Sequence, residues 1–256
     1  MQNFRLNPVL TVCMALACSL SLNGCPPSTS TKEEVPPSKP EMTLTIASLN
    51  LTSLNKRIEK SDIVALWRIL KKEQVEVLAV QNMSRYPGVA TRVDPLNELA
   101  AQADWRHAFG EMMDNSGRKI GNAVLATYPI RSNAHIPFTS VKSANFEGAL
   151  ETVIDGGVRD IMVVSAQFPP KAPESDLAKC LSAITSANKD TKMPLIVAGN
   201  VFASASGMQE VSAGSKNPTT RIHYSGGEEM KPVGASSVAT PLGTVLIAKF
   251  ALYRTH

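Results

Sequence analysis

The stretch PLIVAGNVFA, residues 194–203, decides how the rest of the chain is interpreted. Its apolar run LIV stands between a proline and a glycine, a pattern that predicts a short buried strand entering a turn. A polar residue placed directly after such a strand is often part of a functional site. The residue in that place is Asn200. Unlike an aspartate, Asn200 cannot ionise, so it supplies neither the charge of a metal ligand nor a general base.

Helical and strand-like patterns alternate on both sides of this stretch, and two hairpin signals, DNSG at 114–117 and DGG at 155–157, lie among them. Helices are predicted from residue 61, over 95–103 and over 174–187, and strands over 43–49, 75–80, 105–109, 122–127, 150–154, 159–168, 195–197, 220–224 and 242–252. Because hairpins interrupt the alternation, a purely parallel sheet is not expected. We predict an α+β fold, a four-layer α/β/β/α sandwich of two mixed sheets flanked by helices.

The first 41 residues differ in character from the rest. Residues 1–25 combine a basic start at Arg5 with an apolar stretch that is short for a membrane span, which is typical of an export signal. They end in LNGC, which resembles a bacterial lipobox and implies that Cys25 is lipidated. Residues 26–41 are rich in Pro, Ser, Thr and Lys and predict a disordered linker, which leaves 42–256 as the folded domain.

These features predict an exported protein that is lipid-anchored in a bacterial cell envelope, with the membrane as one partner. The alternative is an ordinary signal peptide cut nearby, with Cys25 a bystander. Cys13 and Cys18 would leave with the signal, so Cys180 would be the one thiol of the mature domain. Its helical setting favours a small buried side chain over a nucleophile.

Composition and short motifs exclude several function classes. The formal charge is +4 and aromatic residues make up 5%, which does not point to a nucleic acid partner. The sequence contains no P-loop, HExxH, CxxC or GxSxG motif.

Eight short segments, in order along residues 43–252, resemble motifs of one superfamily. They are SLN (48–50), QN (81–82), GNAVL (121–125), EGAL (147–150), AQF (166–168), GNVF (199–202), RIHY (221–224) and SVATP (237–241). The chain is thereby similar to the metal-dependent endonuclease/exonuclease/phosphatase superfamily, which includes pancreatic-type deoxyribonucleases, apurinic endonucleases and sphingomyelinases. The resemblance implies a four-layer sandwich with the active site at one edge of both sheets.

The resemblance also implies where the site positions fall, and nearly all of them depart from the superfamily pattern. The matching positions are Asn50, Asn82, Gln167, Asn200, His223, Val238 and Ala239. Only Asn50 keeps the residue of the superfamily. Asn82 stands where the metal-binding glutamate is expected, Gln167 where the catalytic histidine is expected, and Asn200 where the central aspartate is expected. His223 stands for a second aspartate, and Val238 and Ala239 stand for the terminal aspartate and histidine.

Members of the superfamily hydrolyse phosphoesters with Mg²⁺ or a similar ion held by carboxylates. Neutral amides supply no charge to offset the dehydration of Mg²⁺. We therefore expect no cofactor, no metal site and no catalytic residue. The predicted function is a non-catalytic domain that binds or scaffolds, with an envelope protein or a small polar ligand as its further partner.

Several other interpretations stay open at the level of sequence. The amides could simply satisfy one another's hydrogen bonds. His223 could bind a transition metal. The functional alternative is a divergent phosphodiesterase or phosphatase that uses Mg²⁺ or Mn²⁺. An enzyme of another class in the same groove has no nucleophile–base pair to support it.

Overall fold

Two six-stranded mixed sheets lie face to face in this computed structural model of the protein. The structure describes residues 39–52, 57–89, 91–138, 147–169, 172–189, 191–200, 208–211, 213 and 220–254. The helices are α1 (Lys60–Lys72), α2 (Pro95–Ala103) and α3 (Glu174–Ala187). The strands are β1 (Met42–Asn50), β2 (Val77–Arg85), β3 (Arg106–Asn115), β4 (Arg118–Ala126), β5 (Ile130–Pro137), β6 (Gly148–Asp155), β7 (Asp160–Gln167), β8 (Leu195–Gly199), β9 (Gln209–Val211), β10 (Arg221–Ser225), β11 (Met230–Thr240) and β12 (Gly243–Leu252).

The order of strands is β11-β12-β1-β2-β4-β3 in the first sheet and β5-β6-β7-β8-β10-β9 in the second. The pairs β1–β2 and β7–β8 run parallel, and the hairpins run antiparallel. In both parallel pairs a helix lies between the two strands in the chain, as a parallel crossover requires.

Three apolar clusters divide the molecule into four layers. One fills the space between the sheets, where Ile46, Val163 and Phe250 are fully buried. A second lies between the first sheet and the helices α1 and α2, and a third lies between the second sheet and α3. The fold prediction of an α/β/β/α sandwich is therefore confirmed.

Two of the three described helices have capping side chains at their N-termini. Asp94 accepts hydrogen bonds from the backbone N–H of Leu96 and Asn97 at the start of α2, as an N-cap aspartate does. Glu59 and Asp62 form a capping box at the start of α1. Among the described residues no helix is both long and apolar enough to span a bilayer.

The boundaries of several strands differ from the prediction. The second strand does not end at residue 80 but continues to Arg85, and β3 extends to Asn115. The strands β5, β9 and β11 were not predicted at all. Each is the edge strand of a sheet, and β5 and β11 are largely exposed. A strand exposed on both faces has no reason to alternate polar with apolar residues, which is the signal on which strand prediction depends.

The export signal and Cys25 lie outside the described residues, as does nearly all of the linker. Cys180, in contrast, lies within α3, where 1% of its surface is exposed. Burial raises the pKa of its thiol to about 11, so the thiol stays protonated near neutral pH. A protonated thiol is a poor nucleophile.

Candidate functional site: a polar edge shared by both sheets

At one edge of the sandwich the inward-facing residues are polar, whereas further inside they are apolar. Along β1, the inward residues change from Ile46 to Ser48 and Asn50, and along β7 they change from Val163 to Ser165 and Gln167. Alternation along each strand puts these residues on the inner face. The packing of the two sheets face to face then brings these polar ends together, so the edge carries hydroxyls and amides that face each other across the sheets.

The deepest part of this layer is centred on Gln81, which is fully buried. Its Nε2 donates to Ser165 Oγ at 3.0 Å and to the Ala198 carbonyl at 3.2 Å, both on the second sheet. Ser165 Oγ in turn donates to the Val80 carbonyl at 2.9 Å, and Ser48 Oγ donates to Gln81 Oε1 at 3.4 Å. A buried amide that is satisfied in this way ties the two sheets together in one register.

Asn122 makes a second bridge between the sheets. Its Nδ2 donates to the Gly148 carbonyl at 2.8 Å, and the whole residue is buried. Its Oδ1 has no hydrogen-bond partner among the described residues. A buried acceptor without a partner costs about 1–3 kcal/mol of folding free energy. Asn122 therefore stabilises the folded protein less than its single short hydrogen bond suggests.

Closer to the surface, four side chains form a chain of hydrogen bonds that runs from the second sheet to the first. Asn50 Nδ2 donates to Gln167 Oε1 at 3.3 Å. The backbone N–H of Thr52 donates to Asn50 Oδ1 at 2.8 Å, and the Thr52 hydroxyl donates to the same oxygen. Asn82 Nδ2 donates to the Thr52 hydroxyl. We call Gln167, Asn50, Thr52 and Asn82 the amide network. None of these four side chains carries a charge.

Asn200 uses its side chain as a clamp on the neighbouring strand end. Its Oδ1 accepts from the backbone N–H of Phe168 at 2.6 Å, and its Nδ2 donates to the Phe168 carbonyl at 2.8 Å. The residue is 4% exposed. Both polar atoms of Asn200 are therefore committed to backbone, and the amide is not directed at a ligand.

His223 does not join these residues, so the implied position of this side chain beside the other site residues is wrong. His223 on β10 pairs with Val197 on β8, and the side chain of Val197 belongs to the cluster under α3. Ile222 and Tyr224, the residues on either side of His223, face the other sheet. The imidazole thus lies on the outer face of the second sheet. It is 3% exposed, and its Nε2 has no hydrogen-bond partner among the described residues.

The charged neighbours of His223 lie on its own face. Glu210 is its cross-strand partner on β9, with Oε2 at 3.9 Å from His223 Nε2. Burial lowers the pKa of the imidazole. The charge of Glu210 raises this pKa in part, and the charge of Arg221 lowers it further. His223 is therefore neutral near pH 7 and has one nearby carboxylate, which is too few ligands for a transition-metal site.

The final pair of site positions lies at the tip of the β11–β12 hairpin. Gly243, at that tip, is close to the carbonyl of Asn50, so the hairpin does reach the polar edge. Val238, however, pairs with Val245 and packs against the cluster beneath α1 and α2. Ala239 is exposed and brings no polar atom.

The polar edge does not fit a divalent metal ion. Mg²⁺ prefers anionic oxygen ligands and holds them in a strict octahedron. Among the described residues no group of three or more His, Cys, Asp or Glu side chains is placed to hold an ion. The positions that would supply carboxylates carry amides that are already hydrogen-bonded to each other or to backbone.

Sequence reasoning missed several residues that build this edge. Ser48, Thr52 and Ser165 were not among the predicted site residues, although each lies at or just beyond the end of an inner-facing strand segment. The available signal was the change from apolar to polar residues at every second position near the ends of β1 and β7. That signal becomes visible only when the strands are known to share one edge.

Comparisons with known proteins agree on the fold. No protein-family model matches the sequence, and no curated protein is significantly similar to it. Solved structures are similar in fold at low identity. An endonuclease/exonuclease/phosphatase from Beutenbergia cavernae has 12% identity and a TM-score of 0.62, over 82% of this chain and 72% of that one. Truncated Caenorhabditis elegans TDP2 has 12% identity and a TM-score of 0.62, over 84% and 100%.

The human Nocturnin catalytic domain has 14% identity and a TM-score of 0.60, over 84% of this chain and 94% of that one. At these identities the likeness establishes the fold alone. The chain therefore has the endonuclease/exonuclease/phosphatase fold.

Proposed function

We propose that this chain is a non-catalytic domain with the endonuclease/exonuclease/phosphatase fold, anchored by a lipid on Cys25 in a bacterial cell envelope, where it binds or scaffolds. The observation that carries the proposal is the use of the site positions as structural hydrogen-bonding groups. Asn200 clamps the backbone of Phe168, and Asn50 and Gln167 join the two sheets. Neutral amides that already make these hydrogen bonds are poor ligands for Mg²⁺, and they have no basic group that could activate water.

The chemistry of the edge supports the same conclusion. A metal-dependent phosphoesterase needs an ion, a source of hydroxide and a proton donor for the leaving group. The amide network is neutral and has no group that titrates near pH 7. His223 is the one histidine among the superfamily-matching positions, but burial lowers the pKa of its imidazole, which lies on the outer face of the second sheet. No step of hydrolysis can therefore be assigned to these side chains.

An assay of hydrolysis tests the non-catalytic part of the proposal. The purified protein is incubated with a phosphodiester and a phosphomonoester chromogenic substrate in millimolar Mg²⁺ or Mn²⁺. We expect no turnover above that of a heat-denatured sample. Turnover that requires the metal and that Asn50→Ala or Asn82→Ala abolishes would restore the phosphoesterase alternative.

The anchoring part is tested by fractionation of cells that express the full chain. The lipobox-like sequence LNGC, which ends at Cys25, is the reason for proposing a lipid anchor. We expect Cys25→Ala to move the protein from the membrane to the soluble envelope fraction, and Cys18→Ala, a cysteine within the same signal, to leave it in the membrane. A wild-type protein that is soluble and carries an unmodified Cys25 by mass spectrometry would contradict the proposal.

A further inference from the structure

We propose that a pocket on the first sheet, beside the amide network, binds a small oxyanion-bearing ligand through Arg57 and Arg118 without a metal ion. The inference rests on the proposed binding role, for which it names a class of ligand. The pocket has a volume of about 200 Å³. Its polar lining consists of Thr52, Arg57, Asn82, Ser84, Tyr86 and Arg118.

The position of the pocket separates it from the edge shared by the two sheets. Its described lining residues come from β2, β4, the first residue of α2, and the segments that follow β1, precede α1 and follow β2. No described residue of the second sheet lines it, so Gln167 and Asn200 do not contribute. The pocket meets the amide network only at Thr52 and Asn82. A ligand here would contact one end of the network and extend away from the sheet–sheet edge.

The lining of the pocket is positively charged. Its described lining residues include two guanidinium groups and no carboxylate. A third guanidinium, that of Arg92, stacks over the ring of Tyr86 at 4.8 Å. The nearby carboxylate of Asp94 is paired with Arg85 at 3.1 Å. Because the described lining residues include two arginines and no acidic side chain, their charge favours an anion in the pocket.

The two arginines are held in place by groups that leave their charge unneutralised. Arg118 donates from Nε and Nη2 to the hydroxyl of Ser84, at 3.2 and 2.9 Å, and has no carboxylate partner among the described residues. Arg57 donates from Nη2 to the Thr91 carbonyl at 3.2 Å. Among the described residues it contacts the carboxylate of Glu59 at 3.8 Å, and both side chains are more than half exposed. Such exposed contacts are weak.

These features indicate the class of ligand. A guanidinium has five N–H donors in a planar fork that fits a carboxylate or phosphate, so both arginines retain donors for an anion. The hydroxyl of Tyr86 adds a further hydrogen-bond donor, whereas the Thr52 hydroxyl already donates its proton to Asn50. Apolar residues such as Ile58 and Ile120 form the rest of the wall and can contact a compact organic group. The volume lies below the usual range for drug-sized ligands, which is about 300–1,000 Å³, so the ligand is small.

Titration of the full-length protein in EDTA tests this inference. Phenyl phosphate and benzoate are the two anionic probes, and benzamide is the neutral probe of similar shape. Binding is measured by calorimetry at low salt. We expect at least one anion to bind and benzamide to bind at least tenfold more weakly. The anion that binds more tightly identifies the oxyanion as phosphate or carboxylate.

Matched substitutions locate the site. Arg118→Gln and Arg57→Gln should each weaken anion binding about tenfold, and Arg68→Gln, which removes an exposed arginine of α1 outside the pocket, should not change it. Raising the salt concentration should weaken binding in the wild type, because the attraction is between charges. All three arginines are exposed, so the variants should keep the wild-type melting temperature.

Three results would overturn the inference: no binding of either anion in EDTA, equal binding of benzamide, or unchanged binding in both pocket variants. Its failure is distinguishable from failure of the proposed function. Hydrolysis of phenyl phosphate after addition of Mg²⁺ would refute the non-catalytic role and leave metal-free binding of the anion intact. Absence of both binding and hydrolysis would refute the anion pocket alone.

Discussion

At position 200 an amide performs a task that a carboxylate could not. The Asn200 side chain accepts from one backbone group of Phe168 and donates to the other. An aspartate has acceptors only, so its second oxygen would face the Phe168 carbonyl without a proton between them. An aspartate at position 200 would supply a negative charge for a metal ion, but the local hydrogen bonding disfavours it.

Asn200→Asp is therefore expected to destabilise the protein rather than create a metal site. We expect the free energy of unfolding to fall by about 2–4 kcal/mol, since a buried donor is lost and a buried carbonyl loses its partner. The measurement is urea unfolding, with Asn133→Asp on the exposed face of β5 as the matched control. A variant as stable as the wild type, with a melting temperature that rises in Mg²⁺, would contradict this prediction.

His223 gives stability a dependence on pH. Its folded pKa is lowered, chiefly by burial, from an unfolded value of about 6.5. As the pH falls below that value the unfolded chain binds the proton first, so the free energy of unfolding decreases with falling pH and recovers above about pH 6.5.

We expect His223→Leu to reduce the loss of stability between pH 7.5 and pH 5, because leucine removes the titrating group and fits the apolar neighbour Val197. Urea unfolding of both proteins at the two pH values measures the effect. An equal loss in wild type and variant would show that other groups, such as His107, whose pKa is also lowered, account for it.

Among the elements, β2 shows how a backbone irregularity serves the polar edge. Its pairing with β4 shifts register between Val80 and Met83, and Asn82 within that shift has a φ of 57°. This left-handed conformation costs about 1–2 kcal/mol for most side chains, whereas asparagine and glycine adopt it readily. The bulge directs Asn82 toward Thr52 while Gln81 faces the second sheet.

Substitutions at Asn82 separate the backbone from the side chain. Asn82→Gly and Asn82→Val both lose the hydrogen bond to Thr52, but only valine is strained at this φ. We expect Asn82→Val to be about 1–2 kcal/mol less stable than Asn82→Gly in urea unfolding. At Asn133, a strand position without a positive φ, valine should be at least as stable as glycine. The same order at both positions would contradict the role of the backbone.

For the whole molecule, the prediction concerns metal ions. A protein that binds Mg²⁺ in its folded state gains RT ln(1 + [L]/Kd), about 2.7 kcal/mol at a hundredfold excess over Kd. Within the part of the chain that the structure describes, no cluster of carboxylates at the polar edge could hold the ion or be relieved of like-charge repulsion by it. We expect millimolar Mg²⁺ or Mn²⁺ to leave the melting temperature unchanged relative to EDTA. A metal-dependent rise that Asn82→Ala abolishes would show that the edge does bind metal.

Local patterns in the sequence were enough to place the elements that carry an apolar periodicity. The bounds of α2 and α3 agree with the prediction, and β8 begins at the predicted Leu195 but continues past the predicted end at residue 197 to Gly199. Hydrophobic period and capping residues are local properties, which is why they can be interpreted from the chain alone. The chain also shows asparagine at positions 82 and 200; that these residues stand in place of metal-binding carboxylates stays a prediction.

Which side chains share a face depends on how the strands pair and the sheets pack, and no local pattern reveals it. A strand alternates its side chains, so a register one residue different moves every one of them to the other side of the sheet. For this reason His223 could not be placed from its sequence match, and the role of Gln81 between the sheets was not apparent. The edge strands β5 and β11 escaped prediction because backbone pairing, rather than burial, holds them in the sheets. The arginine pocket likewise depends on residues from separate segments that meet only when the sheet forms.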